Sequence, residues 1–127
     1  MSYKILIVDD SKLARMAVNK ALNALYPDWT RIEASNADEA VTSVKEKSPD
    51  IALVDFNMPG RDGLELAAEL RRSKPRMRVA VVSANRQKEV VNRTRDIGAT
   101  FLGKPLTDEA LGEFLKAAVG ELEKGQQ

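Results

Sequence analysis

The chain has 127 residues, enough for one ordinary domain that buries roughly two thirds of its unfolded-chain surface, with no room for a second. Twenty basic and nineteen acidic residues leave a net charge of +1, so no global field favours nucleic acid or an anionic membrane surface. Cysteine and histidine are both absent, which removes disulfides, thiolate metal sites, Ser-His-Asp triads and the usual near-neutral proton shuttle.

Tyr3 to Val8 is apolar after Lys4, which predicts a central strand covered on both faces. Asp9 and Asp10 follow at once. Ser11 or Asp10 can cap the next helix, where Leu13, Met16, Ala17, Ala21, Leu22 and Leu25 recur at helical spacing until Pro27. Trp29 to Ser35 alternates, with Ile32 and Ala34 on one face and Arg31, Glu33 and Ser35 on the other. That is the pattern of an edge strand, and Trp29 is expected to pack on the first helix. Asn36 with Glu39 forms a capping-box pattern for a helix through Lys47 whose core face is Ala37, Ala40, Val41 and Val44. Ser48-Pro49 stops it.

Asp50 to Asp55 is an apolar run that ends on a carboxylate and opens into a loop punctuated by Pro59, Gly60 and Gly63. Asp62 and Glu65 start a third helix with Leu64, Leu66, Ala67 and Leu70 as its buried stripe. Arg71, Arg72, Lys74, Arg76 and Arg78 cluster at its end, where cations are favourable; no aromatics interleave them, so no nucleic-acid surface is expected. Met77 to Ser83 is a fourth strand. A polar helix from about Arg86 to Ile97 offers the core little beyond Val90, Val91 and Ile97, and Gly98 ends it. Thr100 to Gly103 makes a short fifth strand before Lys104-Pro105. Thr107 to Glu109 opens the last helix, whose face is Leu111, Phe114, Leu115, Ala118, Val119 and Leu122. Fraying is expected from about residue 122. No apolar stretch approaches the ~20 residues that cross a bilayer, so a soluble, cytoplasmic protein without membrane contact is expected.

Five strand-helix alternations predict an α/β fold: a doubly wound, five-stranded parallel sheet flanked by five helices, with the alternating second strand at an edge and the order 2-1-3-4-5. In such a sheet the strands' carboxyl ends share one edge, where ligands bind. Asp9-Asp10, Asp55, Ser83 and Lys104 should therefore converge. Singly, each has an ordinary explanation as a helix cap, a turn hydroxyl or a solvated cation; jointly they make a site.

These residues resemble a family, the receiver domain of bacterial response regulators, and in particular its stand-alone CheY-like members. The resemblance rests on Asp9-Asp10 after the first strand, Asp55 before Asn57-Met58-Pro59 and Asp62-Gly63, Ser83-Ala84, and Lys104-Pro105. It implies that Asp55 is a phosphoacceptor, forming an acyl phosphate with a histidine kinase or histidine phosphotransfer protein as donor. It also implies Mg²⁺, a hard cation suited to oxygen ligands, held by Asp10 and Asp55 directly, by Asp9 largely through water, and by the backbone carbonyl of Asn57. Lys104 and Ser83 would contact phosphoryl oxygens. Ser83 and Phe101 would be the switch, altering the surface of the fourth helix, fifth strand and fifth helix that a downstream protein target binds. Such a protein is no enzyme beyond catalysing its own phosphorylation and dephosphorylation. Chemotaxis or a phosphotransfer role is the expected setting, with a monomer expected and a dimer through the fourth-helix to fifth-helix face left open.

Two departures matter. Ser83 stands where Thr is more frequent, and Phe101 where Tyr is more common. Three other readings compete. A haloacid-dehalogenase-type phosphohydrolase needs a second Asp two residues after its nucleophile, and Asn57 stands there. A flavodoxin-like flavin carrier needs a Ser/Thr/Gly-rich phosphate loop where this chain has Asp9-Asp10-Ser11. A receiver-like module that binds partners without phosphorylation would have no use for the complete acidic set.

Overall fold

Period-two side-chain alternation on strands buried on both faces divides the apolar residues into two sets, and the chain builds one core on each side of its sheet. The computed structural model describes residues 2–125. Strands β1 (Lys4–Val8), β2 (Thr30–Ala34), β3 (Ile51–Asp55), β4 (Arg78–Ser83) and β5 (Thr100–Gly103) alternate with helices α1 (Lys12–Leu25), α2 (Ala37–Lys47), α3 (Gly63–Ser73), α4 (Lys88–Asp96) and α5 (Asp108–Lys124). All strand pairs are parallel and the order is β2-β1-β3-β4-β5, as the sequence predicts. Ile5, Ile7, Leu53 and Val82 face α1 and α5 in one core; Leu6, Val8, Val54 and Val81 face α2, α3 and α4 in the other.

The helices begin where their capping residues stand. Side chains of Ser11, Asn36, Asp62 and Thr107 each accept a backbone N–H of the first turn, from Ala14, Glu39, Glu65 and Ala110 respectively. The capping box of α2 closes one residue early, with Glu39 Oε1 accepting from both the amide and the hydroxyl of Ser35. Trp29 is buried as expected, stacked on Tyr26 at 4.1 Å and edge-on to Tyr3 at 5.5 Å.

Two expectations need correction. The apolar stripe of α1 is only partly core: Ala21 and Leu22 are buried, whereas Leu13 is 78% exposed and Met16 53%. Helix α4 starts at Lys88 instead of near Arg86, because the Asn85 side chain accepts from Gln87 N and holds Gln87 extended. Helix α5 runs to Lys124 with Leu122 buried, while Gln126 and Gln127, part of the tail expected to fray, lie outside the described residues. No helix among the described residues is long and apolar enough to cross a membrane.

Candidate functional site

The sheet register brings the site together. Val8 pairs with Val54, so Asp9 and Asp55 emerge side by side one position further on. Asp55 pairs with Val82, and Ser83 with Gly103, which sets Ser83 and Lys104 on the same rim. Single hydrogen bonds carry the ladders past their ends: Asp9 N donates to Ala34 O at 3.1 Å, Phe56 N to Val82 O at 2.9 Å and Lys104 N to Ser83 O at 3.0 Å.

At that rim, carboxylate oxygens of Asp9, Asp10 and Asp55 all lie within 4.8 Å of one another. Asp55 is the most enclosed, at 4% exposure. Lys104 Nζ lies 2.7 Å from Asp55 Oδ1, yet off the directions a hydrogen bond requires, so Oδ1 has an ionic neighbour but no aligned donor. Three carboxylates share that one ammonium, so the rim carries excess negative charge that a further cation would offset. Three carboxylates offering only oxygen suit a hard divalent ion such as Mg²⁺. The donor set therefore fits the metal that the resemblance implies.

Ser83 is fully buried, and its Oγ accepts from Asn85 N at 2.9 Å, leaving the hydroxyl hydrogen free for another acceptor. Asn57 is exposed in the loop after β3, and Phe101 is half-buried against the core under α3 and α4. Arg86 was not anticipated. Its guanidinium lies over Gly103 and donates to the Lys104 carbonyl at 3.2 Å, bracing the β5–α5 turn from across the rim. A lone Arg in a polar segment carries no sequence signal for that role.

Burial pushes the Asp9 carboxyl above its ordinary value, and the charges of Asp55 and Asp10 push the same way; the Ser11 amide and Lys104 act against them. The folded state thus holds this proton more tightly than the unfolded chain. The stability it contributes is fully present below the ordinary carboxylate pKa and is lost as pH rises through the raised folded value. Asp9→Asn keeps an oxygen for the Ser11 amide, which Asp9 Oδ1 accepts at 2.9 Å, while removing the charge. In EDTA at pH 7 it should therefore melt a few degrees above wild type, a gain on the order of 1 kcal/mol after solvent screening. Millimolar Mg²⁺ should stabilise wild type more than the variant. Calorimetric melting curves read both effects, and an equal or lower Tm for metal-free Asp9→Asn would count against crowding of anions at this rim.

Comparison with known proteins agrees with this geometry. A family model described as the response regulator receiver domain matches residues 5–116. The chain is 36% identical over 121 residues to the nitrate/nitrite response regulator protein NarL of Escherichia coli K12, covering 93% of this chain and 56% of that protein. It is 28% identical over 117 residues to sporulation initiation phosphotransferase F of Bacillus subtilis, covering 91% of this chain and 93% of that one. A response regulator receiver domain protein (CheY-like) from Methanospirillum hungatei JF-1 superposes with a TM-score of 0.89 at 25% identity, covering 98% and 99% of the two chains. This chain thus spans about half the length of the first relative and nearly all of the other two. Receiver domains are signalling modules of two-component systems that take phosphoryl groups from histidine kinases, bind Mg²⁺ at an acidic pocket and act on downstream targets. With its family match running from within β1 to within α5, and its acidic cluster at the carboxyl edge of the sheet between them, the chain belongs to the response regulator receiver domain family.

Proposed function

We propose that Asp55 is the phosphoacceptor of this receiver domain, with Lys104 and Ser83 as its partners in catalysis. The observation that carries the reading is the buried Asp55 Oδ1, without an aligned donor, between two further carboxylates and the Lys104 ammonium. An Asp55 oxygen forms a bond to phosphorus as the bond to a donor histidine nitrogen breaks; the departing imidazole keeps the bonding pair and takes up a proton. Lys104 turns from Asp55 to a phosphoryl oxygen, and the Ser83 hydroxyl donates its free hydrogen to another. Asp9, Asp10, Asp55 and the Asn57 carbonyl would hold Mg²⁺, which supplies positive charge against the phosphoryl oxygens. The receiver acts in the cytoplasm as a monomer, with a histidine kinase or histidine phosphotransfer protein as donor and a protein as target. Nothing in this reading calls on contact with nucleic acid or membrane.

Acetyl phosphate with Mg²⁺ should add one phosphoryl group per chain by intact mass, and EDTA should prevent it. An unmodified mass in Mg²⁺, with the fold intact, would leave a phosphorylation-independent binding module as the better reading.

The output follows from the same site. Ser83 moves toward the bound phosphoryl group, and Phe101 turns into the space released, reshaping the face of α4, β5 and α5. Phe101 has no hydroxyl, so a target reads shape and apolar exposure there. Amide spectra before and after phosphorylation should differ around Val90, Thr94 and Phe101 as well as at the rim. Changes confined to the loops after β1, β3 and β4 would exclude this switch.

A further inference from the structure

The exposed part of the α1 stripe does not face only open solvent. Ala14, Ala17 and Val18 form one wall of a cavity of about 670 Å³, and Leu106 and Leu111 form the facing wall. Ala14 and Ala17 present only methyl groups to this space. Leu53 and Val82 close its floor, and its polar end is the acidic rim, with Asp9, Asp55 and Lys104. The volume is in the range of small-molecule sites, which are apolar with a few convergent polar groups.

Charge decides the occupant. Three carboxylates against one ammonium leave the rim at −2, and the buried Asp55 Oδ1 lacks an aligned donor. Asp108 adds a further acidic side chain to the lining. An anionic head would meet these carboxylates; a cationic head would find acceptors.

We propose that the cleft between α1 and α5 binds an amphipathic amine, its aryl or alkyl body lying between Ala17 and Leu106 and its ammonium donating to Asp9 and Asp55. Occupancy excludes a divalent cation from the same carboxylates, so the amine suppresses phosphorylation by competition. That competition rests on the reading of Asp9 and Asp55 as metal ligands; the binding itself rests on the cavity and its charge.

The test uses the full chain in EDTA, titrated with 1-naphthylmethylammonium and followed by amide chemical shifts. Saturable shifts at Leu53, Val82, Ala84 and Leu106 are expected, with affinity at least about tenfold above that of methylammonium or the neutral 1-naphthylmethanol. Ala17→Leu and Ala14→Leu, each filling the cleft, should weaken the amine by about tenfold and leave Mg²⁺ affinity within about twofold. Saturating Mg²⁺ should weaken it by a similar factor. The proposal is overturned by an absence of shifts at millimolar amine, by equal binding of the alcohol, or by unchanged binding in both cleft variants. Acetyl phosphate labelling separates the two readings. An adduct without amine binding removes only this inference, whereas amine binding without an adduct removes only the phosphoacceptor.

Discussion

Asp55→Asn should take up no phosphoryl group from acetyl phosphate and Mg²⁺ under conditions that label wild type, with any residual adduct below about 1% of the wild-type yield. The substitution replaces one oxygen of a buried carboxylate by an amide nitrogen of nearly equal size, so the space among β1, β3 and β4 stays filled. What disappears is the nucleophile, because an amide cannot form the acyl phosphate. The fold should survive: the ion pair with Lys104 is lost, but so is one of three crowded anions, and the two changes oppose each other. Circular dichroism and a melting curve establish that the variant is folded, and intact mass establishes the chemistry. An equal adduct on folded wild type and variant would move the phosphoacceptor elsewhere.

Gly63→Ala should cost at least about 3 kcal/mol and lower Tm by roughly 10 °C. Gly63 starts α3 and donates its N–H to Phe56 O at 2.9 Å, so the backbone of the helix start is drawn onto the end of β3. A β-carbon there would overlap the Asp55 carbonyl oxygen and stand 2.7 Å from Phe56 Cα. Both obstacles are main chain, which cannot swing aside as a side-chain tip can. Relief would have to come from shifting α3 or the Asp55 peptide, so the variant should also label more slowly than its lost stability alone explains. Urea denaturation at fixed Mg²⁺ measures the first effect and adduct formation on the folded fraction the second. A loss below about 1 kcal/mol would show that the α3 start has more freedom than this packing implies.

The sheet was legible because its strands are short apolar runs bounded by Asp, Ser, Gly and Pro. Alternation in β2, with Ile32 and Ala34 buried against exposed Glu33, put that strand at an edge, and the rest of the order was matched to a known doubly wound sheet. The convergence of Asp9, Asp55, Ser83 and Lys104 followed from parallel topology, since carboxyl ends must share an edge. Their separations did not follow. A one-residue change in the pairing of Val8 with Val54 would have set Asp9 beside a different position, and nothing local fixes that offset. Helix α1 shows the complementary limit. Helical spacing marks Leu13, Met16 and Ala17 as one stripe with Ala21, but whether α5 covers the whole stripe depends on packing between distant segments. The cleft beside the rim escaped notice for that reason, and Arg86 did because its partner is a backbone carbonyl eighteen positions away.

Helix α4 is held to the rest of the protein by little more than Val90 and Thr94, and the Thr94 hydroxyl spends its hydrogen bond inside the helix, on Val90 O at 2.8 Å. Helix α5, by contrast, sinks Leu111, Phe114, Leu115, Ala118 and Leu122. The two neighbours of β5 therefore differ in what it takes to dislodge them, one a shallow footing and the other a deep keel. A small displacement at the strand ends can tip the shallow one to a new seat while the keel keeps the molecule whole.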